Sequence, residues 1–338
     1  MEAFLSPLKN FVIDDYEKDF EFTDKDHNVI FQIHFQSDAK KFIFEKSLGK
    51  YIENIGYINA KIIEDNYISF SPLIGLNDKE RSQHIFSFSI ANQFFVQALW
   101  FIKDNAVTPV FASVCSCEYN GNLEEKPVIL LNQKNYFTKA NGDINETHFT
   151  LEEIQQASFW YSAIVENQIK NSSKVEIELN KTINTSLYSY NETTSLSRSF
   201  MYLNTVRQET FLPAKIAMYI SILETLFAVK GENTHKVAER TSIFISEKAK
   251  DSMKIYEDIK ECYKFRSDYV HGSHIKHSNV KTIQEICIKL DEIVRLVMKK
   301  IIVEHPELIY VNKKKEGKLL FDDVNNKFNE LVLTKHLK

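Results

Sequence analysis

Glycine and cysteine are both scarce in this sequence. It has 8 Gly among 338 residues, far below the roughly 7% of an average protein, and it contains neither a GxGxxG nor a GxxxxGK[ST] run. Because such glycines let the backbone approach phosphates closely, dinucleotide-binding and P-loop enzymes are excluded. The 4 cysteines include no CxxC pair, and Cys115 and Cys117 share one face of a predicted strand. We therefore expect reduced thiols in a cytoplasmic protein.

An excess of basic charge is also missing. The formal net charge is −4, so any contact with nucleic acid must come from a local patch. No apolar run reaches the roughly 18 residues of a membrane span, since Asn92, Gln93 and Gln97 interrupt the most apolar stretch, 90–102. No secretory or transit segment is recognised at the start. The sequence therefore predicts a soluble protein without a membrane partner.

The first half of the chain has the alternation of apolar and polar residues that is typical of strands. Residues 1–148 are predicted to form a strand-rich mixed domain. One helix is predicted inside it, at 90–104. The predicted strands lie at 28–35, 67–71, 84–89, 109–119 and 127–131.

Helical periodicity dominates the second half. Thr150 and Glu153 form a predicted capping box at the start of this region. The fold class is therefore α+β, with a helical region at 149–310 that has its core at 193–304, and a tail at 311–338. The core helices are predicted at about 193–208, 213–230, 233–247, 251–271 and 279–304.

The segment 263–272 contains the most informative polar residues. Arg266 lies within the apolar stripe of its helix, where a guanidinium is costly unless it is paired or faces a cleft or an interface. His271 lies about 140° round the helix from Arg266, on the side of Lys260 and Lys264. Because Gly272 suits the end of a helix, unwinding there would let His271 turn back towards Arg266.

An imidazole next to a guanidinium suits metal-free phosphodiester chemistry. The imidazole can transfer a proton near neutral pH, and the guanidinium can bind a phosphate through two hydrogen bonds. Two other interpretations remain open: Arg266 pairs structurally with a neighbouring helix, with His271 as a helix-end cation, or His271, His274 and His277 bind a metal. The metal site is disfavoured because the spacing crosses a turn and no carboxylate or cysteine cluster accompanies it. We predict no metal and no cofactor.

The pattern Tyr263-x-x-Arg266-Ser267-x-x-Val270-His271-Gly272 contains the Rx4–6H signature of the HEPN superfamily and resembles its Apea-like branch. It follows Ser221-Ile-Leu-Glu-Thr-Leu226 and Val237-Ala-Glu-Arg240, which are similar to earlier helices of that branch. The resemblance covers roughly 193–304 and does not extend to the N-terminal half.

The resemblance implies a small helical domain that commonly dimerises and often acts as a metal-independent endoribonuclease in bacterial defence or toxin systems. Arg266 and His271 take the catalytic motif positions, and many such domains join two Arg/His pairs across a dimer interface. Around these two, we expect supporting roles for Ser267, Glu224 and Tyr263, with Glu224 either the partner of Arg266 or an ordinary helix residue. The predicted RNA-binding residues are Lys260, Lys264, His274 and Lys276.

Three functions are compatible with this sequence. The favoured one is RNA cleavage to 2′,3′-cyclic phosphate and 5′-hydroxyl ends by a homodimer. The second is a non-catalytic nucleotide- or RNA-binding module that signals through dimerisation, and the third is a helical protein-interaction module. The N-terminal domain is predicted to sense a protein trigger or phage component, or to position the substrate, with strand edges available to a partner.

Overall fold

A computed structural model describes residues 2–14, 19–34, 50–73, 77–116, 129–132, 136–170, 193–227, 233–272, 279–311 and 319–336. Contacts divide the chain into two compact units. The first comprises Met1–Lys139 and Asp143–Ile164, and the second comprises Ala140–Gly142 and Val165–Lys338. An antiparallel sheet in the first unit and a helical second unit confirm the predicted α+β class.

The sheet of the first unit is built around its first strand, which pairs with antiparallel neighbours on both sides. The strand order is β3-β4-β5-β1-β7-β8, with β6 also paired to β1, while β2 and β9 form a separate parallel pair. Burial alternates along β4, as the sequence pattern predicted. The strands are β1 Glu2–Lys9, β2 Phe11–Ile13, β3 Phe20–Thr23, β4 Val29–His34, β5 Tyr67–Leu73, β6 Thr108–Pro109, β7 Phe111–Ser116, β8 Leu130–Asn132 and β9 Thr147–Phe149.

Three helices lie between the strands of this sheet in the chain. Two of them fall between β4 and β5, and the third falls between β5 and β6: α1 Lys50–Ile55, α2 Tyr57–Asp65 and α3 Asp78–Ile102. The prediction of a strand at 84–89 was wrong, because these residues belong to α3. Asn77 and Glu80 form a capping box at its start, and the buried residues Ile85 and Phe88 are spaced for a helix. The short stretch of alternation therefore lies inside a helix of 25 residues, and such short runs do not by themselves distinguish a strand from a helix.

The same helix is the one helix in the described ranges that is long and apolar enough to cross a membrane. Its window lies within Lys79–Ile102, and 67% of that window is buried inside the fold. A core helix meets the same criteria of length and composition, so this is weak evidence for a membrane span.

Helix α4, Leu151–Val165, begins with the predicted capping box. The backbone N–H of Thr150 donates to the Glu153 carboxylate at 3.0 Å, and the N–H of Glu153 donates to the Thr150 hydroxyl at 3.2 Å. The sequence pattern predicted this helix as part of the helical region, whereas contacts place it in the first unit up to Ile164. Its aromatic rings explain why, since Tyr161 packs edge-on against Phe22 within that unit.

The second unit contains six α-helices among its described residues, and five of them lie where the sequence predicted helices. The sixth, α10, forms most of the predicted tail and follows a short parallel pair of strands, Tyr310–Val311 and Leu319–Leu320. The helices are α5 Ser195–Gln208, α6 Leu212–Phe227, α7 Asn233–Ile245, α8 Ala249–Val270, α9 Val280–Val303 and α10 Phe321–His336.

The apolar stripe of α9 is buried within the protomer, with α6 and α7 among its neighbours. A polar network lies in the same region, where the Tyr219 hydroxyl donates to Asp291 at 2.8 Å and Arg295 pairs with the same carboxylate. Asp291 is only 1% exposed, so these partners compensate for its lost hydration. The apolar stripe of α9 is therefore occupied inside one chain, and a dimer would need another surface.

Candidate functional site

Three side chains from two packed helices meet at the motif. The Tyr263 hydroxyl of α8 donates to one carboxylate oxygen of Glu224 on α6 at 3.2 Å. The other oxygen accepts a contact from Nη2 of Arg266 at 3.4 Å. The structure therefore brings Glu224 together with Tyr263 and Arg266, because all three lie on the faces by which α6 and α8 pack together.

The side chain of Arg266 contacts Glu224 but remains partly exposed to solvent. Its side chain is 35% exposed, whereas that of Glu224 is 18% exposed. Its one polar contact among the described residues, through Nη2, is long for a hydrogen bond, and a guanidinium has five N–H donors. Most of its binding capacity is therefore available to an anion such as a phosphate. The ion pair is equally the arrangement expected if Arg266 had only a structural role.

Tyr263 stays a neutral phenol in this environment. Burial raises the pKa of its hydroxyl, and the negative charge of Glu224 raises it further, while Arg266 lowers it by a smaller amount. A neutral hydroxyl is a hydrogen-bond donor. Tyr263 donates to the Glu224 oxygen that does not contact Arg266, and this orients the carboxylate. The carboxylate in turn fixes the position of the guanidinium.

His271 is placed by the last turn of α8. Its backbone N–H donates to the carbonyl of Ser267 at 3.0 Å, and its own backbone remains close to helical with φ −93° and ψ 4°. The left-handed residue is Gly272, with φ +66°. Unwinding thus begins after His271, and within one chain His271 stays about 140° round the helix from Arg266.

The remaining predicted site residues lie on the His271 side of α8 or outside the described ranges. Lys264 and Ser267 are exposed, and Lys260 places its ammonium 5.2 Å from the ring centre of Tyr256. His274 and Lys276 lie outside the described residues, as does His277. Among the residues that are described, no group of three His, Cys, Asp or Glu side chains is arranged to hold a metal ion.

The two described free cysteines are buried in the second unit. Burial raises the pKa of Cys262 and of Cys287 to about 12 in each case. A thiol that is protonated at neutral pH is a poor nucleophile, so neither residue is suited to covalent catalysis. Cys117, by contrast, lies outside the described ranges, and the side chain of Cys115 is not described.

One polar contact on α8, at a distance from the motif, was not predicted from the sequence. Nδ1 of His235 on α7 lies 2.8 Å from the Tyr256 hydroxyl on α8. The two residues are far apart in sequence, and no spacing rule connects a residue on one helix with a partner on the next. The only available signal was Tyr256 itself, one turn before the predicted RNA-binding residue Lys260.

Comparisons with protein-family models, curated proteins and solved structures yield no match for this chain. Any function must therefore be argued from its own motif and geometry.

Proposed function

We propose that the second unit is a metal-independent endoribonuclease domain of HEPN type, acting in bacterial anti-phage defence or as a toxin. The observation that supports this most is the half-exposed guanidinium of Arg266, which Glu224 and Tyr263 hold on the helix that ends at His271. An oriented arginine with unused donors is suited to bind a phosphate. His271, an exposed histidine at the end of the same helix, is suited to transfer protons.

The proposed reaction uses the RNA's own 2′-hydroxyl as the nucleophile. His271 accepts its proton while the oxygen attacks the neighbouring phosphorus, and Arg266 stabilises the charge that develops on the non-bridging oxygens. The bond to the 5′-oxygen breaks, and that oxygen takes the proton back from the His271 imidazolium, so the histidine acts first as a base and then as an acid. The products are a 2′,3′-cyclic phosphate and a 5′-hydroxyl.

The positions of Arg266 and His271 favour a site shared between two copies of the chain. The two residues lie on different sides of α8. An Arg266 from one copy and a His271 from the other would therefore reach one phosphate more readily than the Arg266 and His271 of a single copy. An exposed apolar patch lies next to Arg266: Phe211 is 55% exposed and Val270 is 56% exposed, and the rings of Phe211 and Tyr269 are 5.8 Å apart. We propose this patch as the homodimer interface.

Sedimentation of the full chain should show a dimer of about 79 kDa, twice the chain mass of 39.5 kDa. Phe211→Glu should shift the protein towards the monomer and lower cleavage in parallel, since it introduces a charge into the apolar patch. Phe159→Glu is the matched control, because Phe159 is also an exposed aromatic residue but belongs to the first unit. A monomeric wild type with full activity would contradict the shared site.

Cleavage of a mixed RNA pool by the full chain should persist in excess EDTA, because the proposed groups are side chains only. The fragments should end in a 2′,3′-cyclic phosphate, which resists 3′-end ligation until the ring is opened and the resulting phosphate is removed. An EDTA-sensitive activity, or fragments with 5′-phosphates, would rule out this mechanism. His148→Ala is a suitable control, as this exposed histidine pairs with Asp14 in the first unit.

A second candidate function is supported by the ion pair itself. If Arg266 serves mainly to join α8 to α6 through Glu224, the unit would bind RNA or a nucleotide without cleaving it and would signal through dimerisation. This candidate predicts RNA binding by the wild type with no fragments under any condition. In both cases we propose that the first unit senses a protein trigger or a phage component, and that the protein acts in the cytoplasm.

A further inference from the structure

One side of α8 is free of carboxylates along its whole length. At about 100° per residue, seven positions lie within about 40° of Lys260, and we call them the basic strip. None of the seven is buried. They are Ala249, Met253, Tyr256, Lys260, Lys264, Ser267 and His271. The five acidic residues of this helix all fall outside the strip: Asp251, Glu257, Asp258, Glu261 and Asp268.

A cluster of polar side chains lies on the basic strip, at a distance from Arg266 and His271. The Tyr256 hydroxyl lies 2.8 Å from Nδ1 of His235, and the Lys260 ammonium lies 5.2 Å from the centre of the Tyr256 ring. Tyr256 and His271 are separated by fifteen residues of helix, about 22 Å at 1.5 Å per residue. The cluster is therefore too far from His271 to contact the phosphate that is cleaved.

The hydrogen bond prepares His235 for a ligand. The direction of this hydrogen bond depends on the imidazole tautomer, and we assign the phenol as the donor to Nδ1, which places the ring N–H on Nε2. The ring is exposed, so Nε2–H can donate to a phosphate oxygen, with the positive charge of Lys260 nearby. The adjacent residue Lys236 forms an ion pair with Glu239 at 2.9 Å, so we assign the anion contacts here to His235 and Lys260.

We propose that the basic strip binds a single strand of RNA and that His235, Tyr256 and Lys260 form a phosphate subsite remote from the cleaved bond. The proposal builds on the proposed ribonuclease function, which it extends by locating the strand that leads to His271. An exposed strip with lysines and no carboxylates complements a chain of regularly spaced phosphates. A stacking surface is also available, since Tyr256 is an aromatic residue within the strip.

The test is RNA binding by the full chain carrying His271→Ala, which removes the proposed proton acceptor. Fluorescence anisotropy would compare a 12-nucleotide RNA with a trinucleotide, which is too short to span the strip. His235→Ala, Tyr256→Phe and Lys260→Ala should each weaken binding of the longer RNA about 3- to 10-fold and leave the trinucleotide unaffected. For Lys260→Ala the slope of log K against log salt should fall by about 0.7, the value for one lost contact to a single strand.

Lys254→Ala is the matched control, because Lys254 is an exposed lysine on the same helix at about 120° from Lys260. If Lys254→Ala and Lys260→Ala weakened RNA binding equally, the basic strip would not be the RNA-binding surface. Competition by a poly-glutamate peptide as strong as that by RNA would overturn the choice of RNA as the ligand.

The outcome is separable from that of the proposed function. If the wild type cleaves RNA but the three substitutions behave like Lys254→Ala, the proposed subsite is wrong and the proposed ribonuclease function is retained. If the wild type never cleaves but the three substitutions weaken binding as expected, the subsite stands and the ribonuclease is wrong.

Discussion

His271→Ala should reduce RNA cleavage by the full chain about 10²–10⁴-fold, the usual contribution of one general acid or base, and Arg266→Ala should reduce it at least about 10²–10³-fold, as on removal of a donor to a developing oxyanion. Neither change should unfold the protein. His271 is exposed at the end of α8, so its removal leaves no buried group without a partner. Removal of Arg266 leaves Glu224 bonded to the Tyr263 hydroxyl. Cleavage rates and thermal melts of both variants, beside His148→Ala, provide the measurement.

Mixing the two inactive variants tests how the site is assembled. In a mixed dimer, one chain supplies the intact Arg266 and the other supplies the intact His271. If these two residues act on the same phosphate from different chains, the mixture should recover part of the wild-type activity. If they act within one chain, it should recover none. Wild-type activity in either single variant would exclude the proposed mechanism altogether.

The sequence predicted the helical unit well because its signals are local. Apolar residues recur with helical spacing over five long segments of this unit. Local signals also predicted the start of α4 in the first unit, where the Thr150–Glu153 capping box is complete within four residues. The error at 84–89 arose where a short alternating stretch was judged without the cap at Asn77, which shows that the helix begins six residues earlier, at Asp78. Local patterns thus predicted most helices, and they failed where a cap had not been recognised.

The candidate site was predictable to the extent that its contacts follow from helix faces. Arg266 and Tyr263 lie close together on one side of α8, and Glu224 lies at the side of α6 that packs against it, so their meeting could be expected. The pairing of His235 with Tyr256 depends instead on how α7 is placed against α8, which no spacing encodes. The position of His271 depends on where the helix ends. A glycine indicates such an end only to within a residue, and here that residue decides which side of α8 His271 occupies.

Arg266→Lys separates a catalytic guanidinium from a structural cation. A lysine can keep the ion pair with Glu224 but lacks the planar pair of donors that holds two phosphate oxygens. We therefore expect cleavage to fall by about 10²–10³-fold, as on removal of a donor to a developing oxyanion, with little change in thermal stability. Lys264→Ala, on the His271 side of the helix, should instead weaken RNA binding modestly and flatten its salt dependence.

The reverse result would reassign both residues. Full activity in Arg266→Lys, together with loss of activity in Lys264→Ala, would place the phosphate site along the side of α8 that carries Lys260, Lys264 and His271. Arg266 would then serve only to join α8 to α6 through Glu224. Glu224→Gln distinguishes the two cases further, because the amide oxygen still accepts from Tyr263 while the ion pair is lost. It should lower stability if Arg266 is structural, and lower the cleavage rate more than stability if the carboxylate positions a catalytic guanidinium.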